Sequence, residues 1–102
     1  MSETILVRLV QLTLDPDKTD EFLSLFDRAS PQIRSFEGCE HLELLQNPTY
    51  PNVLATYSHW RSDEDLQNYR KSEFFNATWS ATKKMFAAAP KAISYRQVRH
   101  LP

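Results

Sequence analysis

The chain has 102 residues, of which 41% are hydrophobic and 25% charged, and its formal net charge is −1. That length suits one domain over residues 1–102, and the interspersed charges form no basic stripe for nucleic acid and no cationic helix for a membrane surface. The one glycine, Gly38, is too few for a glycine-rich phosphate-binding loop, and one cysteine with no signal-peptide pattern favours the cytoplasm.

Residues 5–14, ILVRLVQLTL, predict a first strand that ends at the turn-forming pair Asp15-Pro16. Alternate side chains of a strand point to opposite faces of the sheet. One face of this strand would carry Ile5, Val7 and Leu9, and the other Leu6, Val10, Leu12 and Leu14. Since both faces are mostly apolar, we expect both to be covered.

A helix is predicted next, with Asp17 or Thr19 as its cap. Its apolar side chains fall at helical spacing and are Phe22, Leu25, Phe26, Ala29 and Ile33. Pro31 lacks a backbone donor, so we expect a kink or a fresh start near Ser30. The helix should end by Phe36, with Gly38 as the left-handed residue of the turn.

The rest of the chain alternates strands and helices. Residues 39–46 and 53–60 predict a hairpin whose loop is rich in turn formers. Ser62 is expected to cap a short helix and Ser72 a second one, in which Phe75 and Trp79 point inward. Pro90 closes that helix, and residues 92–98 predict a fourth strand.

This order of elements predicts an α+β fold, the ferredoxin-like split β-α-β-β-α-β with an antiparallel sheet. Helices would cover one sheet face and leave the other open. Because the first strand is apolar on both faces, a second copy of the sheet is the simplest cover for the open face. The sequence therefore predicts a homodimer through sheet faces.

The spacing of residues from Phe36 to Phe86 carries a family resemblance. It comprises FEGC at 36–39, the strand end Ser58-His59-Trp60, and then Arg61, Ser62, Leu66, Tyr69, Ser72 and Phe75. The spacing resembles the antibiotic biosynthesis monooxygenase (ABM) domain family, dimeric α/β-barrel proteins that include quinol and anthrone-type monooxygenases and some haem degraders. The resemblance implies the fold and the dimer first, and cofactor-independent oxygenase activity second.

The chain also departs from the family pattern. Ser58 stands where catalytic-looking members commonly have Glu, and Tyr69 stands where they commonly have His. For the haem-degrading branch of the family, the resemblance implies a site of Asn, Trp and His. The matching positions of this chain hold Val10, Tyr69 and Trp79 instead. These differences argue against haem degradation.

Four aromatic residues are the main candidates for a site. Tyr69, as the catalytic candidate, could donate a hydrogen bond to a substrate oxygen, or it could be a satisfied core tyrosine. Trp60, Phe75 and Trp79 could form the substrate-binding walls of a pocket, or they could pack in the core. Phe75 and Trp79 lie four residues apart and should share one helix face.

Arg8, the histidines and Cys39 are the remaining candidates for a functional role. Arg8, within an apolar strand, needs a partner: a carboxylate on a neighbouring strand or subunit, or an anionic substrate. His59 should point away from Trp60 to the opposite sheet face, and His41 reads as a solvated strand position. The histidines lack metal-ligand spacing, so no metal is expected, and Cys39 reads as a buried structural thiol.

These observations leave several hypotheses open. The first is a monooxygenase that needs no cofactor and acts on a small aromatic, quinol- or anthrone-like, in a pocket between sheet and helices. The alternative is a non-catalytic dimer that binds a small molecule or is structural. A third, isomerase or sugar-phosphate chemistry as among relatives, would need acid/base residues that the sequence does not place.

Overall fold

A computed structural model describes residues 4–102. Within that range the strands are β1 (Leu6–Thr13), β2 (Cys39–Gln46), β3 (Val53–Trp60) and β4 (Lys91–Arg96), and the helices are α1 (Thr19–Arg34), α2 (Asp63–Arg70) and α3 (Glu73–Lys83). The strands pair antiparallel in the order β2-β3-β1-β4. This confirms the α+β, ferredoxin-like prediction, with α2 and α3 forming the second helical connection.

The hydrophobic core lies between the helices and one face of the sheet, which we call the inner face. The even-numbered side chains of β1 and β3 point to this face, and Leu12 and Leu54 are buried there. Leu14, just beyond β1, is 0% exposed, and Phe22 of α1 packs into the same cluster. The apolar stripe predicted for α1 therefore faces the sheet. None of the helices among residues 4–102 is long and apolar enough to cross a membrane.

No helix among residues 4–102 covers the opposite, outer face of the sheet. The register places Leu9 of β1 between Tyr57 of β3 and Ile93 of β4 on this face. Ile93 is 46% exposed and the neighbouring Tyr95 is 55% exposed. The apolar outer side of the first strand, predicted to be covered, therefore lies on a face that the described part of the chain leaves open.

The start and the interior of α1 differ from the prediction. Neither Asp17 nor Thr19 caps α1: its N-cap is Lys18, which makes no side-chain capping bond. Asp15 instead accepts from the backbone N–H of Asp17 and caps a 3-10 turn over Pro16–Lys18. Because this turn leads directly into α1, the helix needs no side-chain cap of its own.

The expected fresh start of α1 near Ser30 is also wrong, since the helix runs on through Pro31 to Arg34. Pro31 removes the hydrogen bond to the carbonyl of Asp27, but both residues lie on the exposed side of the helix, where water can satisfy that carbonyl. The helix ends at Arg34, in agreement with the predicted end by Phe36. Gly38 follows with φ +86°, which confirms the left-handed turn.

The first and last strands of the chain are shorter or shifted relative to the prediction. The first strand spans residues 6–13 rather than 5–14, and the last spans 91–96 rather than 92–98. Leu14 still forms an isolated bridge with Phe86, beyond the end of α3. All six residues of β4 are exposed, so this edge of the sheet is bare on both faces.

Candidate functional site

An open cavity of about 220 Å³ lies between the inner face of the sheet and the three helices. Its lining is mostly apolar and aromatic, with Leu12 in the floor, Phe22 and Phe26 on α1, and Phe75 and Trp79 on α3. An apolar cavity of roughly 150 Å³ is enough to bind benzene. The cavity therefore has room for a molecule of one or two aromatic rings.

A continuous row of aromatic rings forms one side of the cavity. Tyr69 stacks on Trp60 with ring centroids 5.1 Å apart, and it meets Phe75 edge-on at 5.0 Å. Phe75 in turn stacks on Trp79 at 5.9 Å with an interplanar angle of 11°. The structure confirms that Phe75 and Trp79 share one face of α3, and it brings all four predicted aromatic site residues together. Offset stacked and edge-on geometries are the favourable ones for such pairs.

Trp60 lies in the floor of the cavity beneath Tyr69. It is 1% exposed, and its indole Nε1 donates to the hydroxyl oxygen of Ser58 at 3.0 Å. Ser58 is buried as well, and its hydroxyl lies 3.5 Å from the carbonyl oxygen of Arg8. The hydroxyl of Ser58 thus satisfies the buried indole of Trp60.

Tyr69 brings a phenol to the cavity near the end of α2. Burial raises the pKa of this phenol well above its usual value, so the hydroxyl stays neutral at physiological pH. Among the described residues the hydroxyl makes no hydrogen bond. A neutral, unpaired phenol at a cavity wall is a hydrogen-bond donor for a ligand and cannot serve as a base.

Two serine caps fix the helices that carry these rings, as predicted. The Ser62 hydroxyl accepts from the backbone N–H of Asp65 at 3.1 Å at the start of α2. The Ser72 hydroxyl accepts from the backbone N–H of Phe75 at 3.0 Å and donates to the carbonyl of Tyr69 at 2.7 Å. One side chain therefore joins the end of α2 to the start of α3.

The first turn of α2 is anchored by a buried carboxylate that the sequence reading did not single out. Asp65 accepts from Arg61 Nε at 2.8 Å and from the Ser62 hydroxyl at 3.1 Å. The Arg61 hydrogen bond lowers the pKa of Asp65. Asp65 also packs against Gly38, so the turn after α1 and the start of α2 form one tight unit.

Arg8 lies on the inner face and reaches the cavity. Its Nη1 donates to the hydroxyl of Ser94 on β4 at 3.1 Å, so its inter-strand partner is a hydroxyl and the predicted inter-strand carboxylate is wrong for residues 4–102. The pKa of Arg8 is lowered by burial and, next, by the positive charge of Arg70, while Asp63 opposes this more weakly. Arg8 is therefore a partly desolvated cation without an ion pair in the described chain.

The histidines lie elsewhere. His59 points to the outer face, as predicted, where its ring lies 4.9 Å from that of His41. Burial and His41 lower the pKa of His59, and His41 pairs with Glu43. Cys39 is buried and burial raises its pKa. Residues 4–102 contain no cluster of His, Cys, Asp or Glu side chains that could hold a metal ion.

Several lining residues were not predicted from the sequence. The sequence predicted Phe22 and Phe26 only as core residues on the apolar face of α1, yet both also line the cavity. Arg70 could not be predicted as a lining residue because it directly follows Tyr69 in the chain. Adjacent side chains of a helix point about 100° apart, so the two are not expected to reach the same cavity, yet both line it. Ser94 does not line the cavity but accepts a hydrogen bond from Arg8, and it could not be predicted because the register of neighbouring strands cannot be read from one strand. The only sign in the sequence that Arg8 has a polar partner was its charge, which lies unpaired within an apolar strand.

The ferredoxin-like sheet with an aromatic cavity under its helices defines a class of small α+β proteins. Within that class, the model of the family named antibiotic biosynthesis monooxygenase matches residues 5–80. The match spans β1 to most of α3 and thus nearly every residue of the cavity. The chain belongs to the antibiotic biosynthesis monooxygenase family.

Solved structures support the same fold. A conserved protein from Methanosarcina mazei Go1 superposes with a TM-score of 0.88 at 18% identity, covering 93% of this chain and 94% of that chain. A Nitrosomonas europaea protein provisionally described as an antibiotic biosynthesis monooxygenase gives 0.89 at 16% identity (96% and 94% covered). One from Caulobacter crescentus CB15, described likewise, gives 0.88 at 20% identity (95% and 92%). Such low identities show the fold alone. No curated protein matches the sequence significantly.

Proposed function

We propose that the protein is a cofactor-independent monooxygenase that oxidises a small quinol- or anthrone-like aromatic in the cavity between sheet and helices. The observation that carries this proposal is the open aromatic cavity, which Tyr69 lines with a neutral phenol whose hydroxyl makes no hydrogen bond in the described chain. Flat rings would stack against Phe75 and Trp79, and Trp60 would support Tyr69 from below.

The substrate itself supplies the electrons in this chemistry. An anthrone methylene reacts with O₂ to give a carbonyl and one water, so one oxygen atom enters the product and the other leaves as water. The reactive species is the substrate anion, and Tyr69 would donate a hydrogen bond to its oxygen. No carboxylate or histidine lines the cavity among the described residues. The substrate proton would therefore pass to solvent water at the open side of the cavity, and the protein would act by stabilising the anion among its mostly apolar walls.

Tyr69→Phe is expected to lower kcat/KM for oxygen uptake by roughly ten- to a hundredfold, because it removes one donor to the developing anion. Its stability should change little, since this hydroxyl makes no hydrogen bond within the described chain. Oxygen consumption on a panel of hydroquinones and anthrones measures the effect. Tyr50→Phe in an exposed loop is the matched control and should keep wild-type rates.

Wild-type turnover no faster than autoxidation, or equal rates for Tyr69→Phe and wild type, would contradict the oxygenase proposal for these substrates. Tight binding of the same aromatics without turnover would instead support the alternative, a non-catalytic small-molecule-binding protein. The open cavity counts against a purely structural role, because a scaffold would be expected to fill this space with its own side chains.

We also propose that two copies associate through their outer sheet faces in the cytoplasm. The exposed apolar side chains of this face, led by Ile93 and Tyr95, support the association, because monomers rarely leave such surfaces in water. The lone, buried Cys39 is consistent with a reducing compartment.

Ile93→Asp is expected to shift the protein from dimer to monomer, weakening association by roughly a hundredfold, because two-fold symmetry places two new charges in one apolar interface. Sedimentation velocity at low micromolar concentration measures it. Tyr50→Asp, at an even more exposed position outside the sheet, is the control and should leave the dimer intact. A wild-type protein that sediments as a monomer would refute the interface.

A further inference from the structure

The charge of the cavity lining is one-sided. Two of its residues, Arg8 on β1 and Arg70 on α2, carry positive charge, and none of its described residues is acidic. The negative charge of Asp63 acts on Arg8 more weakly than the positive charge of Arg70 does, and Asp63 forms no ion pair with Arg8. A cavity with two cations and no anion presents a positive potential to whatever binds in it.

Arg8 also has hydrogen-bonding capacity to spare. The strand register places it in a row across the sheet floor, between Ser58 on β3 and Ser94 on β4. A guanidinium has five N–H donors. One of its nitrogens, Nη1, donates to the Ser94 hydroxyl, while the Ser58 hydroxyl already serves Trp60. The remaining N–H donors of this half-buried guanidinium can be satisfied by a planar acceptor with two oxygens.

The other end of the cavity has the opposite character. Further along β1, Val10 and Leu12 form the floor, and Phe22 and Phe26 form the wall of α1. A ligand that spans the cavity would meet apolar surface at one end and cations at the other. Such a site suits a molecule with a flat ring and a negative group at one edge.

We propose that the ligand of this cavity is an aromatic carboxylic acid, with its ring among the aromatic walls and its carboxylate on Arg8, reinforced by the charge of Arg70. The inference rests on the proposed function, since it takes the same cavity as the substrate site, and it narrows the substrate to aromatic acids. A carboxylate fits better than a phosphate because its two coplanar oxygens match the guanidinium fork. The mostly apolar lining offers few further donors to a dianion.

Binding of ring-matched probes that cannot be oxidised tests the proposal without oxygen chemistry. Isothermal titration calorimetry would compare 2-naphthoate, the neutral isostere 2-naphthamide and 2-naphthyl phosphate. We expect wild type to bind the naphthoate roughly 10- to 100-fold more tightly than the amide, because a charge-assisted hydrogen bond replaces a neutral one. Arg8→Gln should bring the two affinities together, and Arg70→Gln should reduce the preference partly.

The controls separate recognition from structure. Arg8→Lys keeps the charge and should retain part of the preference, while Arg28→Gln, an exposed change on α1 outside the cavity, should leave it at the wild-type value. Equal wild-type affinities for acid and amide, an Arg8→Gln effect that weakens both probes equally, or tighter binding of the phosphate would each overturn the proposal. Should Arg8→Gln fail to fold, the wild-type ratio and Arg70→Gln still decide.

The two proposals can fail separately. Binding of naphthoate with the expected preference, but no oxygen uptake with any hydroquinone or anthrone, would leave an aromatic-acid site without oxygenase chemistry. Oxygen uptake that depends on Tyr69, but without preference for the acid, would leave the oxygenase proposal standing and overturn the aromatic-acid assignment.

Discussion

Trp60→Ala is expected to lower the free energy of unfolding by roughly 3 to 5 kcal/mol, the usual cost of truncating a large buried aromatic. Trp60 is 1% exposed and supports Tyr69 from below, so its loss opens a void under the cavity floor. It also leaves the buried hydroxyl of Ser58 without its indole donor. Urea unfolding followed by circular dichroism, at one fixed protein concentration, measures the change.

Trp79→Ala is the matched control for this experiment. Trp79 is a wall residue of the same cavity but is only partly buried, so its truncation should cost clearly less than that of Trp60. If Trp79→Ala proved the more destabilising of the two, Trp60 would not be the support of the floor. The pair also separates stability from ligand affinity, because Trp79→Ala should weaken aromatic probes while leaving the fold intact.

Gly38→Ala is expected to destabilise the protein by roughly 2 to 4 kcal/mol. Two effects add here. At φ +86° a side chain is strained, and a Cβ on this residue would overlap the side chain of Asp65. Asp65 cannot move freely, because it holds Arg61 and Ser62 at the start of α2. The midpoint of thermal or urea unfolding measures the loss.

Gly38→Asn tells the two causes apart. Asparagine tolerates the left-handed region far better than alanine, so strain alone would make Gly38→Asn mild. Close approach to Asp65 would make it as severe as Gly38→Ala, and this is the result we expect. A near-neutral Gly38→Asn would show that backbone strain, rather than contact with Asp65, makes glycine necessary at this turn.

The order and type of the elements could be predicted because each carries a local signal. An apolar run that stops at Asp15-Pro16 marks β1, helical spacing marks α1, and Ser62 and Ser72 mark two helix starts that the structure confirms. The ends of elements were less predictable. The start of α1 differs from the prediction because Asp15 caps a separate 3-10 turn. No fresh start occurs at Pro31, because a proline on the exposed side of a helix costs less than one facing the core.

The site was only partly predictable, for a different reason. Phe75 and Trp79 could be paired because four residues of one helix separate them. The contact of Arg8 with Ser94 joins residues 86 positions apart, and the stack of Tyr69 on Trp60 joins a helix to a strand. Such contacts depend on register and helix placement, which local pattern does not encode. The sequence therefore identified the residue types of the site but not the one-sided charge of its lining.

The cavity and the outer face lie on opposite sides of one sheet, and this arrangement determines where the two cavities of a dimer would lie. If two subunits pack through their outer faces, two stacked sheets, roughly 10 Å apart, stand between the two cavities. Each cavity would then lie on the side of its own sheet that faces away from the partner. Such a pair would hold two separate ligand sites back to back, with no direct contact between the two bound ligands.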